Sequence, residues 1–275
     1  MSQAKTRKRV SKKGSERVFD KYALYKKAVQ SPDTDVEFLR KVYRELRKKE
    51  PRTLREDFCG TFALSCEWVK LSRKFEAVGV DLDPEPIEYG RSNYLSKLRE
   101  DQQKRVRLVE GDVLKTGLAP ADIAIAMNFS YFVFKTREMM RTYFTNVYRS
   151  LRPNGLFIVD LFGGSLCHDE NEEKTSHGSF TYFWDQEGFD PVTNRAQFHI
   201  HFKLKGEKKQ ERVFSYDWRM WTIPELREIM AEAGFKRTHV YWEGTTKAGT
   251  GDGVFTRTEK GEACQSWIAY IAAEK

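Results

Sequence analysis

A chain of 275 residues with 40% hydrophobic and 13% aromatic side chains can bury a sizeable core, which excludes an intrinsically disordered protein. Four scattered cysteines (Cys59, Cys66, Cys167, Cys264), without a C-x-x-C pair or a histidine at zinc spacing, argue against a disulfide framework or metal site and for a reducing cytoplasm. Of the formal net charge of +8, residues 1–17 supply +6 through seven Lys/Arg against the single acid Glu16, so the basicity is mostly that of a tail.

Residues 1–17 read as a basic disordered segment, either solubilising or in contact with RNA. The apolar runs at 121–127 and 155–162 are too short to cross a bilayer, and the basic start lacks the apolar stretch of a secretory signal. After the tail, Phe19–Gln30 reads as a short helix broken at Ser31-Pro32-Asp33. Phe38, Leu39, Val42, Tyr43 and Leu46 then mark one face of a second helix that stops at Pro51. Residues 18–50 thus form a helical N-terminal lid, and the basic stretch Arg40–Arg55 reads as a solvated helix face and turn.

From residue 51 to 165 strands and helices alternate. Strand-like runs lie near Thr53–Phe58, Phe75–Asp81, Val106–Gly111, Asp122–Met127 and Gly155–Leu161, with helical patterns at Ala63–Leu71, Pro84–Arg99 and Arg137–Leu151. Such β-α-β units predict an α/β fold: a doubly wound, mostly parallel, seven-stranded sheet with helices on both faces. Residues 166–220 predict a small antiparallel insertion, with a polar segment Cys167–Ser179 and extended runs at Phe180–Gln186, Arg195–Leu204 and Glu211–Trp218. The body resumes over 221–275. Thr222 and Glu225 make a capping box, the helix ends near Gly234, and the last two strands are Lys236–Glu243 and Gln265–Ala272, joined by a long Gly/Thr-rich loop, Gly244–Gly261.

An open α/β sheet binds ligands beyond the carboxyl ends of its strands, where strand order reverses. The first end reads Glu56-Asp57-Phe58-Cys59-Gly60-Thr61-Phe62, the second Gly79-Val80-Asp81-Leu82-Asp83, the third Glu110-Gly111-Asp112-Val113. In this ordered series, and in Leu151-Arg152-Pro153-Asn154-Gly155 before the fifth strand, the sequence resembles the class I S-adenosylmethionine-dependent methyltransferases. The resemblance covers roughly residues 53–162 and the final helix and strands. It implies S-adenosylmethionine as cofactor, with Glu56, Phe58, Cys59, Gly60 and Thr61 at the first turn, Asp81 and Leu82 at the ribose, Asp112 and Val113 at the adenine, and Asn128 and Phe129 near the methionine portion. Phe58 and Phe62 replace the outer two glycines of the family's acid-x-Gly-x-Gly-x-Gly turn. Phenylalanine there is hard to reconcile with a pyrophosphate, which disfavours the rival NAD reading.

The resemblance leaves the acceptor open. Tyr22 and Tyr25 on the lid, Tyr131 after the fourth strand, and His199 and His201 on one face of the inserted sheet are candidate substrate contacts. Two such histidines also occur, and more commonly, on a solvated strand face, or they coordinate a metal with help from elsewhere. Asp160 and Glu243 stand at other strand ends as candidate bases, and no catalytic residue is singled out. The inserted sheet resembles the covers of small-molecule methyltransferases, so a small N or O acceptor is expected. The alternatives are an RNA or protein acceptor engaged through the tail, and a non-catalytic S-adenosylmethionine-binding module.

Overall fold

The structure, a computed structural model, describes residues 19–115, 117–247 and 249–275. The predicted basic tail lies outside the described residues. Helix α1 (Lys21–Val29) begins where the Asp20 carboxylate accepts the Ala23 N–H at 2.9 Å, and α2 (Pro32–Arg47) begins with proline in its first turn. Proline lacks the N–H that a first helical turn leaves unpaired, so Pro32 breaks α1 and starts α2 together.

Strands β1 (Thr53–Asp57), β2 (Glu76–Asp81), β3 (Val106–Glu110), β4 (Ala121–Ala126) and β5 (Leu151–Gly163) alternate with α3 (Ala63–Leu71), α4 (Pro84–Asn93), the short α5 (Glu100–Gln103) and α6 (Arg137–Ser150). A four-stranded sheet follows: β6 (Asn171–Ser176), β7 (Phe180–Asp190), β8 (Arg195–Leu204) and β9 (Gln210–Arg219). The chain then returns through α7 (Ile223–Glu232), β10 (Arg237–Thr245), β11 (Gly251–Thr258) and β12 (Trp267–Glu274) to the main sheet, whose order is β11-β10-β12-β5-β4-β1-β2-β3. β1 to β5 pair in parallel, whereas β12 runs antiparallel to both β5 and β10. Strand order reverses between β1 and β4, which is where an open sheet leaves a crevice.

The main sheet has eight strands where the sequence predicts seven. The additional strand, β11, lies in the predicted loop Gly244–Gly261 and pairs only with β10. Its side chains are mostly exposed, so it carries no hydrophobic alternation to mark it. The polar segment before Ser179 likewise contains β6, an exposed edge strand of the small sheet.

Side-chain alternation sends Ile123, Ile125 and Ile158 to one face, against Val36, Leu39 and Val42 of α2 and Trp68 of α3. Ala124, Ala126 and Phe157 go to the other, against Tyr143, Phe144 and Val147 of α6 and Ile229 of α7. Within this second layer Arg55 is fully buried. Its Nε donates to Asp57 Oδ1 at 2.9 Å, while Tyr143 donates its hydroxyl to Asp57 Oδ2 at 2.9 Å. Each buried charge therefore has a partner, and the network fixes the end of β1 against α6. No helix among the described residues is long and apolar enough to cross a membrane.

Candidate functional site

A cavity of about 730 Å³ opens at the carboxyl ends of β1 to β4, at the reversal point of the sheet. Its floor is the turn after β1. Phe58, Gly60 and Phe62 there adopt left-handed φ values of +57°, +50° and +44°. Glycine takes this conformation freely and phenylalanine only under strain, so the surroundings must hold the two rings. Phe62 is fully buried, and Phe58 packs 5.8 Å from Phe134 and 5.7 Å from Tyr143.

Helix α4 comes so close to this turn that a Cβ on Gly90 would stand 2.3 Å from the Thr61 carbonyl oxygen. Gly90→Ala is accordingly expected to cost about 2 kcal/mol by overpacking. A thermal unfolding curve several degrees below wild type would record it, and an unchanged midpoint would show that α4 slides away freely.

Asp81, at the end of β2, ties the turn to its own strand. Its Oδ2 accepts the Gly60 N–H at 2.6 Å and its Oδ1 accepts the Asp83 N–H at 2.9 Å. Glu56 faces the cavity from β1. Its Oε2 accepts both the N–H and the hydroxyl of Ser65, at 3.0 and 2.5 Å, yet burial pushes its carboxyl up to about 8. Asp112, after β3, accepts the Leu114 N–H at 2.9 Å and so turns the chain behind Val113.

Beyond β4, Asn128 and Phe129 are both left-handed, with φ of +56° and +57°. Asp160 on β5 holds them, accepting the Asn128 N–H at 2.7 Å and the Phe129 N–H at 3.0 Å. Burial raises the Asp160 carboxyl to about 7 against the opposing pull of those two bonds. With both oxygens engaged, Asp160 acts as a backbone clamp and does not line the cavity. Glu243 accepts the Gly253 N–H at 3.1 Å and also lies outside the lining.

The sequence-predicted residues divide by position. Glu56, Phe58, Cys59, Gly60, Thr61, Asp81, Leu82, Asp112, Val113 and Asn128 line the cavity, as do Tyr22 and Tyr25 of α1. Phe129 instead packs its ring 4.6 Å from Phe162. Tyr131, expected at the substrate, is fully buried with its hydroxyl donated to the Asp160 carbonyl at 2.8 Å. The double left-handed turn at Asn128-Phe129 sends it inward.

His199 and His201, also expected at the substrate, share a face as strand periodicity requires, but it is the face opposite Phe214, Tyr216 and Trp218. Both are buried in a polar network. His199 meets Glu187 at 2.7 Å and Ser215 at 2.8 Å, while His201 Nδ1 accepts the Arg212 N–H at 2.7 Å. Glu172, Asp185 and His201 bring three ligand atoms within 4.8 Å of one another. Because Nδ1 of His201 is an acceptor, its Nε2 carries the proton and donates to Asp185 at 3.1 Å, leaving no ring lone pair for a cation.

The roof of the cavity carries no signal in the sequence. Phe214, Tyr216 and Trp218 of β9 line the cavity opposite the β1 turn, and Tyr25 packs against Phe214 at 5.1 Å. Helix α1 is held from below as well, by Lys21 to Glu85 at 2.6 Å and by the Tyr89 hydroxyl to Asp20 at 2.8 Å. The ionisable acids of the lining are Glu56, Asp57, Asp81, Asp83, Asp112 and Asp217, and among the described residues it has no Lys, Arg or His. Glu56 keeps its proton near neutral pH, Asp57 is paired with buried Arg55, and Asp112 and Asp217 face Lys115 and Lys135 outside the lining, so the unpaired negative charge is that of Asp81 and Asp83. Such a wall repels phosphate and suits a cation.

Residues 58–155 match the family model described as a methyltransferase domain. Solved structures with this fold include an S-adenosylmethionine-dependent methyltransferase from Clostridium acetobutylicum, 16% identical over 92% of this chain and 96% of that one (TM-score 0.64). An amino pentose methyltransferase from Micromonospora echinaspora is 15% identical over 95% and 100% (TM-score 0.65). A sugar N-methyltransferase from Streptoalloteichus is 16% identical over 100% and 99% (TM-score 0.61). No curated protein sequence matches the chain. Residues 58–155 thus match a methyltransferase domain, and the chain as a whole has the class I, Rossmann-like fold of these S-adenosylmethionine-dependent methyltransferases.

Proposed function

We propose that the protein methylates an amine nitrogen of a small, sugar-like molecule. The observation that carries this reading is a cavity roofed by aromatic rings whose acidic and basic lining residues, among those described, are all acids. Bound S-adenosylmethionine supplies an electrophilic methyl group on a sulfonium centre. For the cofactor, Asp81 takes the ribose hydroxyls, Asp112 the adenine amine, and Leu82 and Val113 the faces of the base. The backbone of Cys59, Gly60, Thr61 and Asn128 receives the amino-acid end, with Glu56 facing its ammonium group and Phe58 filling the turn.

Methyl transfer to a neutral amine needs alignment and shielding more than acid catalysis. Tyr22 and Tyr25 from α1 and Phe214, Tyr216 and Trp218 from β9 give the enclosure. Their rings attract both the sulfonium and the ammonium product, an effect worth about 0.5–2 kcal/mol per well-placed ring. Carboxylates around the pocket draw in the protonated amine, which gives its proton to water before the neutral nitrogen attacks. The structural neighbours favour the same acceptor class: an amino pentose methyltransferase, a sugar N-methyltransferase and a glycopeptide N-methyltransferase.

The test is transfer of labelled methyl from S-adenosylmethionine to a panel of amino sugars, their hydroxyl counterparts, peptides and RNA. Amino sugars are expected to take label at least about 100-fold faster than the hydroxyl counterparts, because a site built for an amine leaves its polar groups unpaired against the wrong acceptor. Label entering RNA or peptide alone would overturn the reading. Cofactor binding with no turnover on any acceptor would point to a binding module.

A further inference from the structure

We propose that the amino edge of the main sheet, opposite the cavity, binds the phosphate backbone of a nucleic acid. Three neighbouring turns at that edge carry exposed cations: Lys48, Lys49 and Arg52 ahead of β1, Arg73 and Lys74 ahead of β2, and Arg152 at the start of β5. In the sheet these strands run β5-β4-β1-β2. The row therefore spans roughly 15 Å at the usual strand spacing.

Two recesses of about 670 and 750 Å³ share Arg40, Lys49 and Glu50 and join into one groove, along α2 and across these turns. Every acid lining the groove is already engaged. Glu37 faces Arg40 at 3.7 Å, Glu50 holds Arg40 at 2.9 Å and Arg44 at 3.4 Å, and Glu45 holds Arg257 at 3.3 Å. Asp122 accepts the backbone N–H groups of Arg52 and Thr53 at 2.8 and 3.0 Å. Among the described residues, none of the six cations in the row forms a salt bridge. A surplus of unpaired cations along a groove is the electrostatic footprint of a polyanion, and a row this long spans several phosphates.

A nucleic acid fits better than an anionic membrane. The exposed large apolar side chains (among them Leu82, Val133, Met139, Val192 and Val254) all lie away from this edge, so nothing there inserts into lipid. The contrast with the cavity also separates the two sites. β1 and β2 present carboxylates at their carboxyl ends and follow turns that carry cations, so a nucleic acid held here is a tether and not the methyl acceptor. This inference stands whether or not the acceptor is an amine.

Fluorescence anisotropy with the full chain and a 20-nucleotide single-stranded RNA, from low to physiological salt, tests it. The variant Lys49→Glu, Arg52→Glu, Lys74→Glu, Arg152→Glu is expected to lose at least about tenfold in affinity and to flatten the slope of log affinity against log salt by about 3. Its unfolding midpoint and its S-adenosylmethionine titration should match wild type. A second variant, with the seven Lys/Arg of residues 1–17 changed to Gln, separates the tail. The proposal falls if the fourfold variant binds like wild type, so that only the tail variant loses affinity. It falls equally if vesicles containing phosphatidylserine bind while RNA does not, if neither binds at low salt, or if the bound RNA takes up labelled methyl.

Discussion

Asp81→Ala is expected to weaken S-adenosylmethionine and S-adenosylhomocysteine binding by at least about 100-fold, equivalent to about 2.7 kcal/mol. Two losses combine. The carboxylate is the group proposed for the ribose hydroxyls, and charge-assisted hydrogen bonds of that kind contribute about 1.5–3 kcal/mol. It also accepts the Gly60 N–H at 2.6 Å and the Asp83 N–H at 2.9 Å, so its removal frees the strained β1 turn and the start of α4. Asp81→Asn keeps one acceptor oxygen and is expected to fall between the two. Calorimetric titration of the three proteins reads the effect directly, with NADH as a control that the acidic lining should exclude. Wild-type affinity in Asp81→Ala, with an intact unfolding transition, would remove Asp81 from the site and the proposed cofactor orientation with it.

The parts of this molecule that were legible in the sequence are those where burial imposes a period. β8 (Arg195–Leu204) and α3 (Ala63–Leu71) have the bounds the sequence predicts: Ala196, Phe198, Ile200, Phe202 and Leu204 alternate along the whole of β8, and α3 is an apolar run buried over most of its length. β6 and β11 escaped because an exposed edge strand is specified by backbone pairing, which leaves no mark in side-chain chemistry. The same distinction runs through the site. The strand-end acids line the cavity because a parallel sheet delivers every carboxyl end to one edge.

Tyr131 could not be placed by counting, since two left-handed residues, Asn128 and Phe129, redirect the chain just before it. Their conformation depends on Asp160, 32 residues downstream of Asn128, which no local pattern connects to them. His199 and His201 were put on one face correctly. Which face looks at the cavity depends on how the small sheet docks, and that is set by long-range contacts such as Phe198 with Phe162 at 5.7 Å. The roof residues Tyr216 and Trp218 were hidden for the same reason.

Glu56→Gln should separate stability from binding by moving them in opposite directions. Burial raises the folded Glu56 carboxyl from its ordinary 4.5 to about 8. Between those values the folded protein keeps a proton that the unfolded chain gives up, so this group makes the fold less stable as pH rises through the window. Glutamine does not titrate there. The variant's advantage should be absent below pH 4.5 and grow to a plateau above about 8, of at most about 5 kcal/mol. Asp160 and Asp35, raised to about 7 and about 6 by burial, titrate with the same sign in both proteins and cancel in the comparison.

Cofactor binding should show the reverse. An ammonium group against Glu56 favours the ionised carboxylate, so binding near pH 7 releases up to about one proton. Wild-type affinity should climb as pH rises from 6 toward 8, then decline as the ligand's own α-amino group loses its proton near about 8. In Glu56→Gln the affinity should be at least tenfold weaker, with little rise over that range, because about 1.4 kcal/mol or more of charge-assisted contact is gone. Titrations in phosphate and in Tris at pH 7 make the proton visible, since the two buffers differ in ionisation heat. A buffer-dependent heat in wild type that vanishes in Glu56→Gln assigns the proton to this carboxyl. Identical heats in both proteins would mean that the ammonium lies elsewhere and that Glu56 serves only to anchor Ser65 at the head of α3.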